Sequence, residues 1–259
     1  MLSLLSEKLN HLKHISVSSI LKIINLVEPP IIICGCGRSG TTLLLGILDA
    51  HPSIQAVKSE SRIFKQWRYR SSRINKWFHL LKVYVLLCQH KIKSTANRWA
   101  EKTPQNVQYI PQIIEEFGTN VRIIHIIRDG RDVVTSKHPR FKDQYFIPPE
   151  HWAKTVTLGL KYHDHPQVHT LRYESLIQDF DRTASSLMDF LDLELTKEVR
   201  EFYRYSSLTN PETLDQPLGK LYDHSIGKWQ NTDHEERINE FYSCEMAVNV
   251  MKNLKMIYH

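Results

Sequence analysis

Residues 31–52 read IIICGCGRSGTTLLLGILDAHP. The first five form a short apolar run rich in isoleucine, the kind of segment found in a central parallel strand. A glycine-rich turn follows. The apolar residues from Thr41 to Ala50 then predict a helix that His51 and Pro52 stop. Strand, glycine turn and helix in that order bring backbone N–H groups and the positive helix end to one point, which suits an anion. The spacing is close to the phosphate-binding pattern G-x-x-x-x-G-K-[ST]. Gly35 and Gly40 take the glycine places and Thr42 the hydroxyl place, but Thr41 stands where the lysine belongs.

That replacement narrows the ligand. In nucleotide triphosphate sites a lysine and a magnesium ion neutralise a highly charged group. Thr41 cannot supply that charge, whereas Arg38, inside the turn, offers a planar fork of donors. Ser39, Gly40, Thr41 and Thr42 add backbone and hydroxyl donors. The loop suits a phosphate whose transferring neighbour carries less charge, such as a sulfonate.

The same grammar returns in VRIIHIIRDGRDVVTS, residues 121–136. A strand over 121–127 delivers Arg128 at its carboxyl end, where ligands of open α/β sheets bind. Ser136 is expected two helical turns further on. Elsewhere the pattern predicts an N-terminal helical extension over 1–28 and helices at 72–93, 105–117 (broken near Pro111), 151–162, 181–191, 197–205 and 235–254. VHTLRY (168–173) reads as a strand, WAEKTPQN (99–106) as a loop, and 207–231 as a Pro-, Gly- and Asp-containing loop. Alternating strands and helices argue one α/β domain over 1–259, with a central parallel sheet flanked by helices. At 259 residues and 41% hydrophobic content the chain can bury one such core.

Thirty-four Lys and Arg against 28 Asp and Glu give a net charge of +6, which fits attraction of an anionic ligand or a mildly basic surface. Cys34, Cys36, Cys88 and Cys244 show no metal-ligand spacing, and a reducing, cytoplasmic compartment is expected. No apolar run is long enough for a membrane span. His163, Asp164 and His165 resemble a metal cluster only in composition, and no metal is expected.

The stretch GRSGTTLLLGILDAHP resembles the 5′-phosphosulfate loop of sulfotransferases that use 3′-phosphoadenylyl sulfate (PAPS). It is most similar to tyrosylprotein sulfotransferases and their bacterial relatives, and departs from cytosolic small-molecule members at Arg38 and Leu43. The resemblance runs from about residue 30 to Trp229 and implies a P-loop-like fold. It implies that Arg128, Ser136 and Arg140 grip the 3′-phosphate. Tyr173, in RYESL, would contact the nucleotide. The segment TLDQPLGKLYDHSIGKW would fold over it and end at Lys228 and Trp229. It further implies that Glu60, in SESRIF, is the general base, and that Lys102, in EKTP, and Arg38 stabilise the transferring group. His51 is a rival base, and its place at a helix end has a structural use.

Sulfonate transfer from PAPS to a hydroxyl acceptor, releasing PAP, is the expected activity, without nucleic acid or metal. A peptide tyrosine, a glycan, a lipid or a small metabolite could supply the hydroxyl. Basic and aromatic residues in RIFKQWRYRSSRINKW, Arg68 among them, would suit an acidic acceptor. The competing classes are a P-loop kinase and a non-catalytic nucleotide- or RNA-binding protein.

Overall fold

The computed structural model describes residues 22–67, 73–138, 141, 143–208, 219, 221 and 225–255. Most of the N-terminal extension, Arg68, Arg140 and most of the 207–231 loop lie outside the described residues. Strands β1 (Ile31–Gly35), β2 (Ile54–Ala56), β3 (Arg98–Lys102), β4 (Arg122–Ile127) and β5 (Val168–Arg172) form one sheet in the order β2-β3-β1-β4-β5. Every pairing is parallel. The helices are α1 (Thr41–Ala50), α2 (Ile63–Trp67), α3 (Arg73–Cys88), α4 (Ile110–Phe117), α5 (Gly130–Val134) and α6 (Pro149–Leu160). They continue with α7 (Tyr173–Gln178), α8 (Phe180–Phe190), α9 (Lys197–Arg200), α10 (Phe202–Tyr205), α11 (Glu235–Ser243) and α12 (Glu245–Asn253).

Helices cover both faces of the sheet, which is why β1 is apolar at successive positions. Ile31 and Ile33 pack with Leu44 and Leu48 of α1. Ile32 and Cys34 face the other way, onto Val83 and Leu87 of α3 and Ile110 and Ile113 of α4. All strands run the same way, so the turns after β1, β2, β3, β4 and β5 gather at one edge of the sheet.

Several sequence expectations need correction. Residues 98–102 are not loop but strand β3, between β1 and β2. Its Arg98, Glu101 and Lys102 hide a buried strand, and each finds a partner; Arg98 Nη1 donates to the Leu191 carbonyl at 2.8 Å. Helix α5 spans only five residues, so Ser136 follows the helix instead of lying two turns inside it. The C-terminal helix is two, α11 and α12, broken at Cys244, whose ψ of 96° is extended. The helix expected at 197–205 is likewise split at Glu201 into α9 and α10. The 105–117 segment breaks as Pro111 requires, into a 3₁₀ turn (Pro104–Tyr109) and α4.

The L-D-A-H-P element has a structural use. Asp49, fully buried, accepts from the Ser207 backbone N–H at 2.7 Å and its hydroxyl at 2.9 Å. Lys93 pairs with Asp49 at 3.5 Å and donates to the Ile54 carbonyl at 2.8 Å and that of His51 at 3.2 Å. A cation on the last carbonyls of α1 offsets the helix dipole. His51 is buried and its Nδ1 accepts from Ser53 N–H at 3.1 Å. Burial holds its pKa below the ordinary imidazole value.

Candidate active site

The turn from β1 to α1 is built for close approach. Gly40, the N-cap of α1, has φ of 91°, a left-handed conformation that glycine adopts freely. A Cβ there would lie 2.8 Å from Cε2 of Tyr173. Arg38 also holds a left-handed backbone, φ 69°. No side chain caps α1, so its first-turn amides face the turn without a protein acceptor from a cap. The Ser39 hydroxyl is buried there and makes no hydrogen bond to protein.

A cleft of about 1530 Å³ opens above this turn. Arg38, Gly40, Thr41 and Thr42 line it, together with Glu60 after β2, Lys102 at the end of β3, Arg128 after β4 and Tyr173 after β5. Lys102 Nζ donates to Glu60 Oε1 at 3.0 Å, and Arg62 reaches the other Glu60 oxygen at 3.5 Å. Lys102 is buried, while the Glu60 side chain keeps a quarter of its surface exposed. Lys58, Arg62 and Lys82 also line this end, which makes the wall beside Glu60 basic. On another wall His138 packs against Phe141 and Phe146, with ring centroids 5.0 and 4.8 Å away.

Arg128 is held from several sides. Its Nη1 donates to the Arg38 carbonyl at 3.1 Å, and its Nη2 donates to the Ser225 carbonyl. The guanidinium lies 4.5 Å from the Tyr173 ring centroid. Tyr173 in turn shares a 2.6 Å hydrogen bond with the Ser225 hydroxyl. The predicted residues Ser39, Ser136 and Lys228 do not line the cleft. Ser136 donates its hydroxyl to the Asp132 carbonyl at 2.8 Å, and Lys228 is exposed in a 3₁₀ turn.

The two acidic residues of the R-D-G-R-D run take different partners. Asp129 pairs with Arg131 at 2.7 Å. Asp132, buried 4.0 Å from Arg128, accepts from the N–H groups of Gly227 at 2.9 Å and Trp229 at 3.2 Å. Burial raises its carboxyl pKa, and Arg128 and the two amides oppose that. Arg131 lies over the Trp229 ring at 4.0 Å. Glu174, the glutamate of RYESL, accepts from Asp129 N–H at 2.8 Å and fixes the turn that carries Arg128. The R-D-G-R-D run therefore fastens residues 225–229 to the cleft. The acidic residues on either side of Arg131 were visible in the sequence; the Gly227 and Trp229 amides that Asp132 accepts from, almost 100 residues away, were not.

The model of the Sulfotransferase family matches residues 29–197. This chain belongs to the sulfotransferase family. A protein of Aquifex aeolicus (strain VF5), not characterised, is 25% identical over 236 residues, covering 78% of this sulfotransferase but only 30% of the Aquifex protein. A Caenorhabditis briggsae protein, provisionally named a protein-tyrosine sulfotransferase, is 25% identical over 195 residues, which are 66% of this chain and 68% of that one. Among solved structures, mouse sulfotransferase SULT7A1 complexed with PAP is similar with a TM-score of 0.54. It is 15% identical and covers 93% of this chain and 95% of its own. The sulfotransferase domain of the Synechococcus PCC 7002 olefin synthase gives 0.53 at 15% identity, covering 84% and 94%. These two likenesses support the P-loop-like α/β fold. Among the described residues no helix is long and apolar enough to cross a membrane, and no group of three or more His, Cys, Asp or Glu could hold a metal.

Proposed function

We propose that this sulfotransferase moves a sulfonate from PAPS to a hydroxyl acceptor and releases PAP. The observation that carries the reading is the meeting, in one cleft, of an uncapped helix N-terminus, Arg38, Arg128 and a Glu60–Lys102 pair. The residues present fit the donor. The first-turn amides of α1, with Thr41 and Thr42, would hold the 5′-phosphate. Arg128 would hold the 3′-phosphate, drawing its guanidinium away from the Ser225 carbonyl; the resemblance adds Arg140 and Ser136, whose hydroxyl would first have to leave the Asp132 carbonyl. Tyr173 would support Arg128 and the nucleotide.

In the transfer, Glu60 takes the proton from the acceptor hydroxyl as its oxygen bonds to sulfur. The bond from sulfur to the phosphate oxygen breaks in line, and the electron pair stays on PAP. Lys102 and Arg38 would offset charge on the sulfonate and the leaving oxygen, as preorganised donors do. Lys58, Arg62 and Lys82 beside Glu60 suit an acceptor that carries negative charge of its own.

Thermal melting in PAP, compared with ATP plus magnesium, tests the donor on wild type and Arg128→Ala. A ligand that binds only the folded state adds about 2.7 kcal/mol at a hundred times its dissociation constant. A PAP shift that needs Arg128 and ignores magnesium is expected. A magnesium-ATP shift without one for PAP would overturn the reading in favour of a kinase. With a turned-over acceptor, Glu60→Gln should lower kcat about a hundredfold or more while PAP binding stays.

A further inference from the structure

Beneath the Glu60–Lys102 pair lies a carboxylate to which the transfer gives no part. Glu101 is fully buried at the end of β3, one residue before Lys102 and on the opposite face of the strand. Its Oε1 accepts from the Ser61 N–H at 3.1 Å, the Ser61 hydroxyl at 2.8 Å and the Thr103 hydroxyl at 2.5 Å. Its Oε2 accepts from Asn106 Nδ2 at 2.7 Å. Burial pushes its pKa up, and these hydrogen bonds pull it back down.

The donors come from three separate segments: the turn after β2, the end of β3 and the 3₁₀ turn that follows. The first carries Glu60. Ser61, its immediate neighbour, is fixed by N–H and hydroxyl to Glu101 and by its carbonyl to Lys82 Nζ at 2.8 Å. Arg62 N–H donates to the Thr103 hydroxyl oxygen at 3.4 Å, the same hydroxyl that donates to Glu101. Arg62 takes a left-handed φ of 50°, so the turn is held in a shape that most side chains disfavour. Burying a carboxylate costs several kcal/mol unless hydrogen bonds compensate it, and an apolar residue would fill the space more cheaply. A carboxylate is also an acceptor only; an amide of the same shape would point a donor at one of these donors.

We propose that Glu101 is a positioning residue for sulfonate transfer: it fixes residues 60–62 against the end of β3 and so sets the reach between Glu60 and Lys102. This rests on the reading of Glu60 and Lys102 as the reacting pair.

The test reads the pair itself and needs no acceptor. The acylation rate of the Lys102 amine by acetic anhydride is measured at one pH by mass spectrometry, relative to exposed Lys154. Glu60→Gln frees Lys102 and should raise that ratio by about threefold or more, as expected for losing one partly exposed charge pair. Glu101→Gln should raise it by a similar factor, and the double variant should gain little beyond either single change. Ser61→Ala leaves every charge in place and should move the ratio the same way; it carries the test if Glu101→Gln does not fold. A purely structural Glu101 would lower the melting temperature and leave the ratio unchanged. That result, or fully multiplicative factors in the double variant, overturns the proposal. Loss of turnover in Glu60→Gln is read separately. If turnover survives, the base assignment fails; if the Lys102 ratio ignores Glu101, only the positioning role fails.

Discussion

Gly40→Ala puts the geometry of the nucleotide turn under direct stress. The residue sits at φ 91°, where an alanine costs about 1–2 kcal/mol relative to glycine. The new methyl would meet the Tyr173 ring at 2.8 Å from Cε2, and that ring is buried mid-side-chain rather than a free end. Moving it weakens the 2.6 Å hydrogen bond to Ser225 and the Arg128 stack at 4.5 Å, each worth about 1 kcal/mol. The total is about 3 kcal/mol, shared between folding and ligand affinity. At about 2–4 °C per kcal/mol for a chain of this size, melting should fall by roughly 6–12 °C if all of it falls on folding, and by proportionately less for any share that falls on affinity. Any 1.4 kcal/mol that reaches the bound state weakens PAP about tenfold. Differential scanning calorimetry and titration calorimetry with PAP read the two shares. Adding Tyr173→Ala removes the steric part, so the double variant should lose less than the sum of the single changes. A Gly40→Ala protein that melts within about 2 °C of wild type and binds PAP as tightly would refute the reasoning.

Other perturbations reach separate parts of the molecule. Asp132→Asn replaces an acceptor of two amides by a group with one donor end. Hydrogen exchange at Gly227 and Trp229 should then speed up about tenfold or more, since such bonds to a charged group are worth about 1.5–3 kcal/mol. His125 is fully buried in β4, and a Cβ on Gly159 of α6 would run into its ring. Burial first, then the nearby His163, pushes its pKa from 6.5 down to about 4. Below pH 6.5 the unfolded chain binds a proton that the folded chain refuses, so this histidine removes stability as pH falls from 6.5 to 4. The loss is about 3 kcal/mol over that window, and denaturant melts of His125→Leu should show a shallower acid slope than wild type. Gly159→Ala should destabilise at every pH, and equal melting of the two proteins would show that the ring has room to move.

What the sequence disclosed follows how local each signal is. Turn β1–α1 and the R-D-G turn after β4 were readable because a few adjacent residues dictate them. Strand β3 was not, because Arg98, Glu101 and Lys102 look like solvent-facing charges until their buried partners are known. Helix α5 was drawn too long because the apolar pattern of Val133 and Val134 does not reveal where the backbone stops being helical. In the site, the sequence marked Glu60, Lys102, Arg128 and Tyr173, and the fold gathers all four at one cleft. It could not mark Glu101 or Asp132, whose meaning comes only from donors brought by distant segments.

The strand order divides the residues of the cleft into two sets. Arg38, Arg128 and Tyr173 follow β1, β4 and β5, whereas Glu60, Lys102 and the lysines beside them hang on β2, β3 and the helix between. Under the proposed reading, the grip on the nucleotide belongs to the first set, and the basic wall that faces the acceptor, Lys58, Arg62 and Lys82, lies between β2 and β3. Exchanging the stretch from residue 57 to 97 between relatives would retarget the enzyme while leaving its grip on the nucleotide intact, as long as Ser61 still meets the carboxylate waiting for it on β3.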